Sequence, residues 1–459
     1  MDDTLYSSVS ELLERADNNA KITIAECEEL LNTVPKFTSK HSLEETRAFL
    51  DYLGSPDENI KIIHVAGTNG KGSVCSYIST VLTKADYSVG LFTSPHLVSL
   101  NERFAIDNKP VAEGVFVEVF VEVLRRVMEY DDQEYFPTYF ELLFFVAMLL
   151  YDVYPVDYLI LETGLGGRLD ATNSVTKPVL SIITEIGYDH MEYLGTSLED
   201  IAAEKAGIIK KGVPVVFFDK RKETSDVIKK AALEQEVRAI AVEDKNIEDV
   251  EFVRDEGGNK YIAFSYKSLY DKYAELKLAT QALYQTQNAA VAVTALEILR
   301  ETGAEISEFD IREGLLSAKW SGRMEEMRPG IYVDGAHNLD GVEAFLESAS
   351  RIECEGRKHL VFGIMSDKLY KDIISMILKS GQFDSIYVTI LESKRSVSMS
   401  DLKIAFEDSK DELGIIGLPI KYYSNVRDAI TDVITMRKSG DCVFAAGSLY
   451  LVGQIKSAI

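Results

Sequence analysis

From Ile60 onward, short apolar runs alternate with longer stretches in which apolar residues recur every three or four positions. That alternation is the pattern of strand–helix units wound onto a mostly parallel sheet, so the chain is expected to be α/β. Residues 62–66, 89–92, 158–162, 179–184 and 215–218 are apolar at nearly every position, as strands covered on both faces must be. Residues 74–84, 115–130 and 198–210 carry the helical period.

Between residues 242 and 277 the pattern becomes irregular. Glu256-Gly257-Gly258-Asn259 reads as a turn, followed by apolar-polar runs at 261–266 and 276–278, which predicts a small antiparallel insert. Helical periodicity returns over 287–302. After Trp320-Ser321-Gly322-Arg323 a second strand–helix series begins, with strands expected at 331–333, 360–362, 385–388 and 443–446. The boundary is placed near Gly322, which divides the chain into a larger unit, 1–322, and a smaller doubly wound one, 323–459.

Length supports this division, because 459 residues exceed a single core at roughly 150 residues per domain. Charge narrows the partners. Lys and Arg number 49 against 74 Asp and Glu, a net charge of −25, and such an exterior repels nucleic acid and anionic membranes. A phosphate ligand must therefore meet a locally positive pocket. Cys27, Cys75, Cys354 and Cys442 are far apart with no C-x-x-C pair, which fits reduced thiols rather than disulfides or structural zinc. The acidic N-terminus lacks the features of a signal peptide, and the longest apolar stretch, 142–150, falls short of the roughly 20 residues that span a bilayer. A cytoplasmic, monomeric protein is expected.

Candidate chemistry begins after the first strand. Residues 62–66 run directly into Gly67-Thr68-Asn69-Gly70-Lys71-Gly72-Ser73 and then a helical stretch, the strand, glycine loop and helix of a phosphate-binding loop. The glycines let backbone N–H groups turn toward phosphate oxygens, the helix N-terminus adds its positive dipole end, and Lys71 supplies a charge. Ser73 then stands where a hydroxyl can ligate Mg²⁺. The loop is a variant of the common form, with Val65 at the first glycine position and Gly72 inserted before the serine. Glu162 closes the run 158–162, at the carboxyl edge where open parallel sheets bind ligands, and reads as a metal carboxylate or as an N-cap. His190 follows the strand at 179–184 and by itself reads as a satisfied structural histidine.

Further segments then form an ordered set: Thr93-Ser94-Pro95-His96-Leu97, Thr138-Tyr139-Phe140-Glu141, the stretch Leu161 to Asn173, Asp189-His190, Glu204-Lys205-Ala206-Gly207 and Asp334-Gly335-Ala336-His337-Asn338. With the glycine loop they resemble the folylpolyglutamate and dihydrofolate synthases of the Mur-ligase superfamily. The resemblance implies an N-terminal P-loop ATPase domain on a mostly parallel sheet and a smaller Rossmann-like C-terminal domain, with catalysis in the cleft between them. The implied reaction uses ATP to join L-glutamate to a folate through an acyl phosphate.

The resemblance also implies roles residue by residue. Gly67, Thr68, Asn69, Gly70, Lys71, Gly72 and Ser73 would hold the ATP phosphates, and Asn288, Arg323 and Asp334 would contact adenine, phosphate and ribose. Ser73, Glu162 and His190 would ligate Mg²⁺ at two sites. Lys71, Lys205, Arg323 and His190 are the catalytic candidates, and the lysine matching Lys205 is carboxylated in the family. Adding CO₂ turns an ammonium that two cations would repel into an anion. Thr93, Ser94, Pro95 and His96, with Tyr139, Phe140, Glu141, Leu169, Asp170, Ala171 and His337, would line the substrate sites. The aromatic pair reads equally as core, and His337 as part of a helix-entry turn.

Arg168-Leu169-Asp170-Ala171 looks like the form found in members that accept dihydropteroate as well as folates, so both activities are expected. The chain departs from the family around Leu283-Tyr284-Gln285-Thr286-Gln287, where a glycine and a histidine–glutamine pair are usual, and at Ser321, where proline is usual. Three other readings stand beside this one: a Mur-type ligase for a different carboxylate, a non-catalytic nucleotide-binding module, and a plain P-loop kinase or GTPase. The segments at 93–97 and 138–141 argue against the first, intact Lys71, Glu162 and His190 against the second, and the second α/β unit with its 334–338 segment against the third.

Overall fold

A computed structural model describes residues 3–35, 41–132 and 135–459. The apolar runs of the first unit form β1 (Lys61–Ala66), β2 (Val89–Phe92), β5 (Tyr158–Glu162), β6 (Leu180–Ile183), β7 (Val215–Phe218) and β8 (Ala239–Val242), and a hairpin of β3 (Phe104–Ile106) and β4 (Lys109–Pro110) extends one edge. The sheet order is β4-β3-β2-β5-β1-β6-β7-β8, with every pair from β2 to β8 parallel and the hairpin antiparallel. Both residues of the hairpin turn, Asp107 and Asn108, have positive φ, the geometry that matches strand twist in a two-residue turn.

Alternation along the strands divides the core. Ile62, Phe92, Leu159 and Leu161 point to one face, under helices Asp3–Asp17, Ile24–Thr33, Leu43–Tyr52, Glu113–Glu129 and Tyr139–Val153. Ile63, Val65, Leu91 and Ile160 point to the other, under helices Lys71–Lys84, Gln285–Glu301 and Glu308–Ser317. Helix Tyr139–Val153 is apolar on almost every side because it is buried almost all round. Its Tyr151 is fully buried and donates its hydroxyl to the carbonyls of Leu91 and Ala105, at 2.7 and 3.1 Å. Tyr151→Phe leaves these acceptors without that donor, and urea unfolding should show a loss of roughly 1–2 kcal/mol with catalysis intact.

One expectation needs correction, and one region was left unread. The helix predicted over 198–210 is Leu198–Ala206. It ends at Gly207, where a Cβ would stand 2.4 Å from that of Arg168, so the chain turns away against the loop beneath. The three helices before Ile60 lie outside the predicted elements, although Thr23/Glu26 and Ser42/Glu45 each form a capping box that marks a helix start. The antiparallel insert is a three-stranded sheet of β9 (Ile247–Arg254), β10 (Lys260–Lys267) and β11 (Lys272–Leu278), in the order β11-β10-β9.

The last sheet contains β12 (Glu325–Arg328), β13 (Ile331–Val333), β14 (Lys358–Phe362), β15 (Ser385–Thr389), β16 (Ile420–Tyr423) and β17 (Cys442–Ala446), in the order β12-β13-β17-β14-β15-β16. All pairs but β12–β13 are parallel, with helices on both faces. The molecule is therefore α/β with mostly parallel sheets. Among the described residues no helix is long and apolar enough to cross a membrane.

In the large sheet, β1 lies between β5 and β6, and the chain leaves β1 for one side and returns later to the other. The carboxyl ends of these three strands thus open into a crevice at a change of winding direction, the position at which open α/β sheets take ligands.

Candidate active site

Gly67 and Gly70 turn the chain out of β1 with φ of 149° and 87°. At Gly67 a Cβ would stand 1.8 Å from Thr184 Oγ1, so no larger residue fits. Helix Lys71–Lys84 starts at once, and its first internal bond runs from Val74 N–H to the Gly70 carbonyl. The N–H groups of Lys71, Gly72 and Ser73 precede that bond and face the helix mouth, a ready site for an anion. Those of Thr68 and Asn69 do not serve a phosphate here, because both donate to the Glu185 carbonyl, at 2.8 and 3.2 Å. These two residues brace the loop against the segment after β6.

The crevice is lined by the whole loop Gly67 to Ser73 together with Ser94, Pro95, Glu162, Asp189, His190, Lys205, Asn288, Arg323, Asp334 and His337. A second hollow shares Gly72, Ser94, Pro95, Glu162 and Arg323 with it and adds Thr93, Leu97 and Trp320. Residues far apart in sequence, from β1, β2, β5, β6 and both sides of Gly322, therefore converge. His96, Tyr139, Phe140, Glu141, Leu169, Asp170 and Ala171 line neither hollow.

Five of those seven are engaged elsewhere. His96 Nδ1 accepts from Arg103 Nε–H at 3.0 Å, and the Arg103 guanidinium lies 5.9 Å from the centre of the Tyr139 ring. Phe140 packs beneath Gly164, where a Cβ would meet it at 2.6 Å. Glu141 caps its own helix, accepting from Thr138 N–H at 2.7 Å, and lies 2.9 Å from His41. Asp170 accepts the N–H groups of Gly164 and Leu165 on one oxygen and that of Thr172 on the other, at 2.9–3.1 Å. It thereby shapes the loop after β5, with Ala171 buried behind it and Leu169 exposed.

Charge in the crevice is tightly balanced. Glu162 is buried, and burial raises its carboxyl above the ordinary range while Lys71 pulls it down. Its Oε2 accepts Ser94 N–H at 2.9 Å, and its Oε1 stands 3.8 Å from Lys71 Nζ, too far for a hydrogen bond. Lys71 Nζ donates to the carbonyls of Gly67 and Thr68, at 3.2 and 3.4 Å. Lys205 is buried with Nζ 2.8 Å from the Gly67 carbonyl. Burial first, and the charge of Lys71 second, bring it down to about 7. Burial likewise brings His190 down to about 4, leaving a neutral imidazole with a free lone pair at physiological pH.

The far wall comes from beyond Gly322. Arg323 Nη1 donates to the Gly322 carbonyl at 3.1 Å, and its guanidinium reaches both hollows. Asp334 accepts from Tyr284 O–H at 2.5 Å and from Met324 N–H and Ala336 N–H, both at 2.8 Å. His337 places Nδ1 2.7 Å from the Gly335 carbonyl and Nε2 3.2 Å from Asp189. Asn338 pairs amide to amide with Asn69 of the phosphate loop, donating at 3.0 Å, and Arg221 donates to Asp340.

Two family models match the chain: the Mur ligase middle domain over residues 65–296 and the Mur ligase glutamate ligase domain over 322–449. A relative from Bacillus subtilis named dihydrofolate synthase/folylpolyglutamate synthase is 34% identical over 430 residues, 92% of this chain and 96% of its own. The chain belongs to that family of Mur ligases. A folylpolyglutamate synthase of Lacticaseibacillus casei is 30% identical, with 78% of this chain and 83% of the relative covered. Among solved structures, Mycobacterium tuberculosis folylpolyglutamate synthase complexed with ADP superposes with a TM-score of 0.84 at 27% identity, covering 95% of this chain and 97% of that one. E. coli FolC in complex with DHPP and ADP gives 0.80 at 28%, with the same coverage.

Several residues at the site were given no role by the sequence alone. Asp189 carries Lys368 at 2.5 Å as well as His337. Burial raises its carboxyl, but His337, His190 and Lys368 outweigh that and hold it well below the carboxylate range. Gln285 donates to Ser73 Oγ at 3.0 Å, and Tyr284 holds Asp334. His337 and Lys368 lie more than a hundred residues from Asp189, and Ser73 from Gln285, a separation no local pattern reveals.

Proposed function

We propose that this chain uses ATP to join L-glutamate to folates in amide linkage, and that it also accepts dihydropteroate. The observation that carries the reading is the convergence of Lys71, Ser73, Glu162 and Arg323 in one crevice closed from both sides of Gly322. In this reading residues 1–322 form the ATPase domain and 323–459 the glutamate ligase domain. The protein acts in the cytoplasm as a monomer, in keeping with its four free cysteines.

The donor set fits Mg²⁺. Glu162 is a buried carboxylate with Oε1 outside any hydrogen bond, Ser73 adds a hydroxyl oxygen, and among the described residues no three His, Cys, Asp or Glu side chains converge on a metal position. A hard cation that keeps water and substrate phosphates as its other ligands suits so small a set. Glu162 and Ser73 would hold it, with His190 near a second one, and when bound it supplies charge that neutralises the phosphates.

The acceptor carboxylate attacks the γ-phosphorus, ADP leaves, and an acyl phosphate forms. The glutamate amine then displaces phosphate and an amide results. Lys71 and Arg323 stabilise charge on the transferred group, and the N–H groups at the helix mouth orient it. Closure around Gly322 keeps water from the acyl phosphate. Lys205 acts as a carbamate in this reading, and His337 and Thr93 to Pro95 face the acceptors.

The deciding assay is Mg²⁺- and glutamate-dependent ADP release with tetrahydrofolate and with dihydropteroate in parallel. Release with both is expected. Release with tetrahydrofolate alone removes the dihydropteroate activity, and silence with both, alongside measurable ATP binding, overturns the substrate assignment.

A further inference from the structure

We infer that Gln285 is a positioning residue for the cation that accompanies ATP, acting by fixing the hydroxyl of Ser73. The inference rests on the reading of Ser73 as a Mg²⁺ ligand given above. Gln285 opens helix Gln285–Glu301, and its Nε2 donates to Ser73 Oγ at 3.0 Å. Asn288 Nδ2, one turn on, donates to Gln285 Oε1 at 3.0 Å. All three side chains are buried, at 3%, 9% and 2% exposure, so the relay is shielded from bulk water.

The relay has a direction. An isolated glutamine amide can turn over and present oxygen instead of nitrogen. Here a turned amide would set its NH₂ group against that of Asn288, so the donor end stays on Ser73. Asn288 Oδ1 fits beside Gly70 because that residue has no side chain, lying 2.2 Å from the place a Cβ would take. A hydroxyl offers one proton and two lone pairs. Gln285 takes one lone pair, which leaves the second lone pair for a cation and the proton for a phosphate oxygen. Without Gln285, a helical serine ordinarily gives its proton to a carbonyl one turn back, and the hydroxyl swings out of register with both ligands.

Partners that orient a metal ligand from behind typically contribute 10- to 100-fold to metal affinity. The probe is Mn²⁺, followed by the loss of its free-ion electron paramagnetic resonance signal in the presence of ADP. Gln285→Leu is expected to weaken Mn²⁺ binding by about 10-fold while ADP affinity in EDTA, measured by calorimetry, stays unchanged. Ser73→Ala should weaken Mn²⁺ similarly, and the double variant should be no weaker than Ser73→Ala alone. If Ser73→Ala binds Mn²⁺ like the wild type, Ser73 is not a ligand and the underlying reading fails. If Ser73→Ala weakens binding but Gln285→Leu does not, or if the two losses multiply, the positioning role is wrong. Gln285→Met, which keeps the length and removes the donor, gives the same comparison should the leucine variant not fold.

Discussion

Replacing Lys71 by alanine is expected to lower kcat for glutamate-dependent ADP release by roughly 10²–10³-fold, the usual loss when one preorganised donor to a transition-state oxyanion is removed. The fold should survive. Lys71 is the first residue of helix Lys71–Lys84, where alanine is well tolerated, and its Nζ donates to two carbonyls of its own loop with Glu162 Oε1 3.8 Å away. A thermal melt close to wild type together with lost turnover is therefore the predicted pair of results. Turnover within a few-fold of wild type would mean that Arg323 and the helix mouth suffice, and Lys71 would lose its catalytic role.

The second large effect concerns Lys205. Its amine, at about 7 against an ordinary value near 10.5, is substantially neutral at physiological pH. Only the neutral amine has the lone pair that forms the N–C bond to CO₂, losing a proton as the carbamate appears. Assayed in CO₂-free buffer, activity should fall and return on adding bicarbonate. Lys205→Met should be inactive by on the order of 10²-fold and indifferent to bicarbonate. Wild-type activity that ignores CO₂, with no mass increase in the intact protein, would remove the carbamate from the mechanism.

Stability should move oppositely. In the unmodified folded chain the Lys205 amine loses its proton near 7, whereas in the unfolded chain it keeps one until about 10.5. Between these values the unfolded state binds more protons, so stability from this group rises with pH, and the burial penalty is complete below about 7. In CO₂-free buffer the methionine variant should gain most over wild type near pH 6, and the gain should shrink toward pH 10.

Strands such as β1, β5 and β7 were legible because four to six consecutive apolar residues have few other uses, whereas β3, β4, β8, β12 and β16 went unread. The helix Tyr139–Val153 was not, since a segment buried on every side loses the period that identifies amphipathic helices. Its start was in view as Thr138 and Glu141, a capping pair read only as a substrate motif. In the active site, the glycine loop and Glu162 could be read because strand, loop and helix are contiguous. The roles of Asp189, Gln285 and Lys368 could not, because each depends on a partner brought by the tertiary fold.

The amide pair between Asn69 and Asn338 has a kinetic consequence. Parting the two units at Gly322 must break that pair together with the contacts of Asp189 with His337 and Lys368 and of Arg221 with Asp340. Opening the crevice for ADP to leave therefore breaks these together, while Thr68 and Thr184 keep the phosphate loop braced from its own side.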